Sequence, residues 1–150
     1  MASKKSIEKF VNLKNIAVVG VSQKKGKFGN TVYKELKQKG YNVFAVNSKL
    51  SEFEGEKCFN KLSELNGKIE AVVIVVNGIE TEKIVEEANI IGIKHIWMQQ
   101  GSESTKAIEY CKENGINVIH NECILMFAEP VKSVHGFHKW LWKIFGKLPK

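Results

Sequence analysis

The chain contains no arginine and no aspartate: its 23 basic residues are all lysine and its 16 acidic residues are all glutamate. This bias belongs to the source more than to any site, but it leaves few groups able to do acid–base or nucleophilic work. No apolar run approaches the roughly 20 residues needed to cross a bilayer. The opening MASKKSIEKFVNLKN has no continuous apolar stretch of signal-peptide type. A soluble, cytoplasmic protein without integral membrane contact is expected. Cysteine is sparse. Cys58, Cys111 and Cys123 are odd in number, far apart and without CxxC spacing, which argues against a disulfide framework and a zinc site and for reduced thiols. His135 and His138 have no evident third ligand, so no metal is expected. Acid is scarce at both ends: before Glu35 only Glu8 faces eight lysines, and after Glu129 five lysines meet no acid. The net charge of +7 suits nucleotide phosphates, nucleic acid or a membrane surface without choosing among them. No RNA-binding signature with interleaved aromatics is present, so no nucleic-acid partner is expected.

What is present is alternation. The 150 residues make one ordinary domain, with a core over about residues 15–130 and an extension over about 131–150. A short amphipathic helix around Ile7–Leu13 comes first. NIAVVGV, YNVFAVN, EAVVIVV, KHIWM and INVIH read as strands. NTVYKELKQKG, ETEKIVEEANIIG and SESTKAIEYCKENG carry helical spacing, the first and second ending at Gly40 and Gly92. LSEFEGEKCFNKLSEL reads as a connection with a short helix near its end. Apolar strands without alternation, separated by helices, predict a parallel sheet covered on both faces. The fold class is therefore α/β, a Rossmann-like doubly wound parallel sheet of about five strands in a single domain.

Such sheets bind ligands outside the carboxyl ends of their strands. Five stretches are selected in advance: the loop after Gly20, then NSK, NG, QQGSE and NEC after the later strands. Gly20, Gly26 and Gly29 are not spaced as GxGxxG. Gly20 still permits a tight turn, and Gly29 opens a helix whose free N–H groups can meet a phosphate. Lys24, Lys25 and Lys27 add charge. After the second strand, where an NAD site places an acid for the ribose hydroxyl, stand Asn47, Ser48 and Lys49. A cation there points to NADP or another ligand with a phosphorylated ribose. The alternative is a solvated lysine.

In order, VVGVSQKKGKFGN, VFAVNSK, GEKCF, EAVVIVVNG, IWMQQG and NVIHNECILMFAEP resemble the small stand-alone CoA-binding proteins. These are similar to the N-terminal CoA-binding domain of the succinyl-CoA synthetase α-subunit. The likeness runs from about Asn15 to Pro130. It implies a Rossmann-like fold that binds coenzyme A or an acyl-CoA. The resemblance assigns the phosphates to Gly20, Val21, Ser22, Lys27, Phe28, Gly29 and Asn30, and the nucleotide end to Asn47 and Lys49. Val76, Asn77 and Gly78 would line the adenine or pantetheine side, and Gln100 and Gly101 the far wall. Ser48 departs from a proline common in the family, which alters loop stiffness more than chemistry. The synthetase's other domains and its phosphorylated histidine have no counterpart in 150 residues, so binding transfers and catalysis does not.

An enzyme remains the alternative: an NADP-dependent reductase or a CoA-linked acyl transferase, using His120, Glu122 and Cys123 at the end of the fifth strand. The terminal VKSVHGFHKWLWKIFGKLPK reads as a helix rich in large apolar groups, with Lys139, Lys143 and Lys147 on one face. Packing across the sheet, contact with a second copy or protein partner, and a membrane-surface role all stay open for it.

Overall fold

The computed structural model describes residues 3–128. The helix expected over 131–150 lies outside the described residues. Helix α1 (Lys4–Val11) opens with Ser3, whose Oγ accepts the Ser6 N–H at 3.1 Å, and buries Ile7, Phe10 and Val11 on one side. Strand β1 (Asn15–Val19) is the apolar run of the first motif. Helix α2 (Phe28–Gln38) follows, burying Gly29, Val32, Tyr33 and Leu36 at helical spacing. Then come β2 (Asn42–Val46), β3 (Glu52–Phe53), β4 (Glu56–Phe59), a 3-10 turn (Leu62–Leu65) and β5 (Ala71–Ile74). Helix α3 (Gly78–Ile90), β6 (His95–Met98), α4 (Thr105–Glu113), β7 (Asn117–Ile119) and a second 3-10 turn (Ile124–Met126) complete the described chain.

The sheet runs β3-β4-β2-β1-β5-β6-β7. All pairings are parallel except the β3–β4 hairpin. Val19 lies beside Val46 of β2 on one flank and Ile74 of β5 on the other. Strand order therefore reverses between β1 and β5, and their carboxyl ends open a crevice. Two cores fill the two faces. Ile16, Val18, Val73, Trp97 and Ile119 pack against α1 and α2, while Ala17, Val72, Ile74 and Ile96 pack against α3, α4 and the first 3-10 turn. This period-2 division of continuous apolar strands is what coverage on both faces requires.

The expected parallel core is present, but the sheet has seven strands rather than about five. The stretch read as a connection contains β3 and β4. Within those two strands only Phe53, Cys58 and Phe59 are buried, too short a pattern to separate a strand from a loop. At the amino end of the sheet, Glu70 accepts the backbone N–H groups of Lys14 and Asn15 at 3.2 and 3.1 Å. Those donors hold its carboxyl below the ordinary range.

Candidate functional site

Gly20 leaves β1 with φ +131°, a conformation only glycine adopts without strain. A Cβ there would overlap the Val75 carbonyl oxygen and stand 2.8 Å from its carbon. Gly29, in the first turn of α2, sits against Gly20 in the same way: its Cβ would overlap the Gly20 carbonyl oxygen. The exits of β1 and β5 and the start of α2 thus meet backbone to backbone at the crevice. Lys27 at the α2 N-cap supplies no side-chain acceptor to the first turn, although its carbonyl accepts the Asn30 N–H at 3.1 Å.

Asparagines fasten this region. Asn30 accepts the Ser22 N–H at 2.8 Å and donates to the carbonyls of Ser22 and Lys24 at 2.9 and 3.2 Å. The loop is knitted from inside while Lys24, Lys25 and Lys27 stay exposed. Asn47 donates to the Val21 carbonyl at 2.7 Å and accepts the Lys49 N–H at 2.7 Å, binding the first loop to the second. Asn60 donates to the carbonyls of Asn47 and Leu50 at 3.1 and 2.9 Å. Asn77 caps α3, accepting the Glu80 N–H at 3.0 Å. The side chains of Asn30, Asn47 and Asn77 are positioning groups; Phe28, Ser48 and Lys49 stand exposed.

A cleft of about 610 Å³ opens beside Gly20 on the α3 face. Gly20, Asn47, Lys49 and Val76 line it, over the apolar Val46, Leu62 and Ile84. Val21, Ser22, Lys27, Phe28, Gly29 and Asn30 belong to the loop and helix start on the α2 side and do not line this cleft. Neither do Asn77 and Gly78 at the head of α3, nor Gln100 and Gly101 beyond β6. Lys61 and Lys83 line it without having been read from the sequence. Lys61 follows β4, whose carboxyl end could not be searched while β4 passed for a connection. Lys83 lies within α3, one helical turn after Glu80, which lines the same cleft. A second groove of about 290 Å³ between α3 and α4 is lined by Glu82, Glu86, Glu109 and Glu113, the wrong sign for a phosphate.

The exits of β6 and β7 are bound to each other. Glu103 accepts the N–H groups of Gly101 and Asn121 at 2.9 and 3.2 Å. The buried Gln99 accepts the Ile124 N–H at 2.7 Å and donates to Cys123 Sγ at 3.4 Å. His120 Nδ1 meets the Asn121 amide at 3.0 Å. Burial lowers the His120 pKa, with the Lys112 charge adding and Glu103 opposing, while burial raises that of Glu122. His120 and Cys123 thus have separate partners, and no hydrogen bond between them supports a base–nucleophile pair. Among the described residues no cluster of three metal-ligating side chains occurs. No helix there is long and apolar enough to cross a membrane.

Burial pushes the Cys111 thiol up to about 12 and that of Cys58 also upward, leaving both neutral at physiological pH. Iodoacetamide at pH 8 is expected to modify Cys123 alone in the native protein and all three cysteines in urea. Native modification of Cys111, read by mass spectrometry, would contradict this assignment.

Comparison with known proteins accords with the geometry. Residues 14–129 match the family described as CoA binding domain. The uncharacterized protein YneT of Bacillus subtilis is 32% identical over 111 residues, covering 74% of this chain and 82% of that protein. The acetate–CoA ligase [ADP-forming] I subunit alpha of Pyrococcus furiosus is 33% identical over 143 residues; the match covers 85% of this chain but only 31% of the ligase subunit. A hypothetical protein from Pyrococcus horikoshii superimposes with a TM-score of 0.76 at 33% identity, over 81% of this chain and 86% of that one. The matched span nearly coincides with the Asn15–Pro130 likeness drawn from the motifs, and the sheet that carries those motifs has the neighbours' architecture. The chain belongs to the CoA binding domain family.

Proposed function

We propose that this chain binds coenzyme A, or an acyl-CoA, at the carboxyl end of its sheet, as a cytoplasmic binding protein without a reaction of its own. The observation that carries the reading is the pairing of two features at one crevice. The glycine-packed, acid-free loop from Gly20 to Gly29 opens α2, and Lys49 stands on the neighbouring cleft where an NAD site would place an acid. The pyrophosphate would lie on the α2 start, where free N–H groups and the helix dipole favour negative charge. The nucleoside would enter the cleft beside Lys49. Val76 and Gly78, with Gln100 and Gly101 across the crevice, would border the pantetheine arm. Asn30 and Asn47 would act by holding the loops rather than by touching the ligand.

A reductase or acyl transferase built on His120 and Cys123 is less well supported, since Gln99 engages the Cys123 thiol. The acetate–CoA ligases are several times longer than the segment they share with this chain, and their activity is not carried over.

Calorimetric titration with CoA, NAD and NADP tests the reading. Saturable binding of CoA in preference to both dinucleotides is expected, with Lys49→Ala weakening CoA by about tenfold through loss of one charge-assisted contact. Preference for NADP, or no binding of CoA at millimolar concentration, would overturn it.

A further inference from the structure

We infer that Lys61 and Lys83 complete a three-lysine receptor for the phosphomonoester at the nucleoside end of the ligand, the ribose 3′-phosphate of coenzyme A. The inference rests on the CoA reading above and names residues beyond it. Lys61 is the first residue past Asn60, whose side chain is tied to the carbonyls of Asn47 and Leu50. Its backbone is therefore fixed to the turn that carries Lys49. Lys83 approaches the same cleft from α3, directly before Ile84. The three cations come from three separate segments yet line one cavity of about 610 Å³.

The charged lining of the cleft is positive by one unit, which favours an anion. Glu80 and Glu87 also line the cleft, so three positive groups face two negative ones. Burial raises the Glu87 carboxyl while Lys61 pulls it back, so these two groups feel each other. No ion pair involving Lys49, Lys61 or Lys83 occurs among the described residues, whereas Lys34 and Lys37 on the outer side of α2 are paired with Glu54 and Glu56. A phosphomonoester, carrying about −1.5 to −2 near neutral pH, would gain three cationic partners here. The floor of Val46, Leu62 and Ile84 suits the flat apolar face of a base. A phosphate joined to a nucleoside uses both halves of the cleft; an inorganic anion uses one.

The test compares CoA with dephospho-CoA, and uses adenosine 3′,5′-bisphosphate as a probe of the nucleoside end alone. The proteins are wild type, Lys61→Gln, Lys83→Gln and the double variant, with folding checked by melting temperature. Each single substitution is expected to lower the CoA preference over dephospho-CoA by about fivefold, and to weaken the bisphosphate in step. Dephospho-CoA affinity should change less than about twofold, because no charge-assisted contact to it is removed. An unchanged preference in the double variant, or equal weakening of both coenzymes, would overturn the inference while leaving CoA binding intact. Wild-type protein that binds CoA and dephospho-CoA alike would do the same. Wild-type protein that binds neither would overturn the underlying reading as well.

Discussion

Gly29→Ala is expected to destabilise the protein by about 3 kcal/mol, lowering its melting temperature by roughly 10 °C for a chain of this size. It should also abolish measurable CoA binding. The added Cβ would overlap the Gly20 carbonyl oxygen, a backbone atom that cannot swing aside as the end of a flexible side chain can. Relief requires moving the start of α2 away from the β1 exit. That movement takes the α2 amides off the crevice, so stability and binding fall together. Phe28→Ala is the control: its side chain is 45% exposed and adjacent in sequence, and the change should alter stability by no more than about 0.5 kcal/mol. Thermal melts and calorimetry on the two variants decide the matter. A Gly29→Ala protein with wild-type melting and CoA affinity would show that the close packing is not needed for the site.

Trp97→Ala is expected to cost about 4 kcal/mol through the cavity it leaves. Trp97 is fully buried on the α1 face, with its ring 5.3 Å from that of Phe10 and 6.0 Å from that of Phe127. Its Nε1 donates to the Glu122 carbonyl at 2.9 Å, which fixes the β7 exit. Trp97→Phe keeps most of the packing and loses that bond, so about 2 kcal/mol is expected. Because the ring lies on the opposite face from the cleft, Trp97→Phe should leave CoA affinity within about twofold, below the effect of any single contact. Urea melts give the stabilities. A Trp97→Phe variant that melts like wild type would dismiss the Glu122 contact, and a large loss of CoA affinity would relocate the ligand toward the β7 side.

The parts of the fold legible in the sequence were those with long signals. The apolar run AVVIVV, bounded by polar residues, reads as a strand covered on both faces, of which Ala71–Ile74 form β5, and Val32 and Leu36 repeat as a helix face must. The hairpin was hidden because β3 has two residues and its turn at Glu54 and Gly55 sits inside a polar stretch. That single omission concealed Lys61, since a strand not recognised has no carboxyl end to inspect. The positions of Gly20 and Gly29 were readable from the strand-to-helix loop, but the packing of Gly20 against Val75 was not, because Val75 follows a strand more than fifty residues on. Asn30, Asn47 and Asn77 illustrate another limit. Sequence can place an asparagine at a strand end or helix start, but only the distances show that its amide is already engaged by neighbouring backbone.

The hairpin also bears on how the protein behaves at high concentration. Without it, β2 would present a row of unpaired backbone groups along the flank of a largely apolar sheet, an open template for another chain. β4 covers the carboxyl end of that row at Ala45 and Val46, and β3 covers β4, ending the sheet in a strand of two residues. Lys34 and Lys37 hold the hairpin to α2 through Glu54 and Glu56, and Tyr33 Oη donates to Glu56 at 3.1 Å. The sheet thus finishes in a short, charged margin with little to offer a strand from a neighbouring molecule. A few residues inserted after the second strand protect this flank against edge-to-edge aggregation while leaving the ligand end of the sheet open.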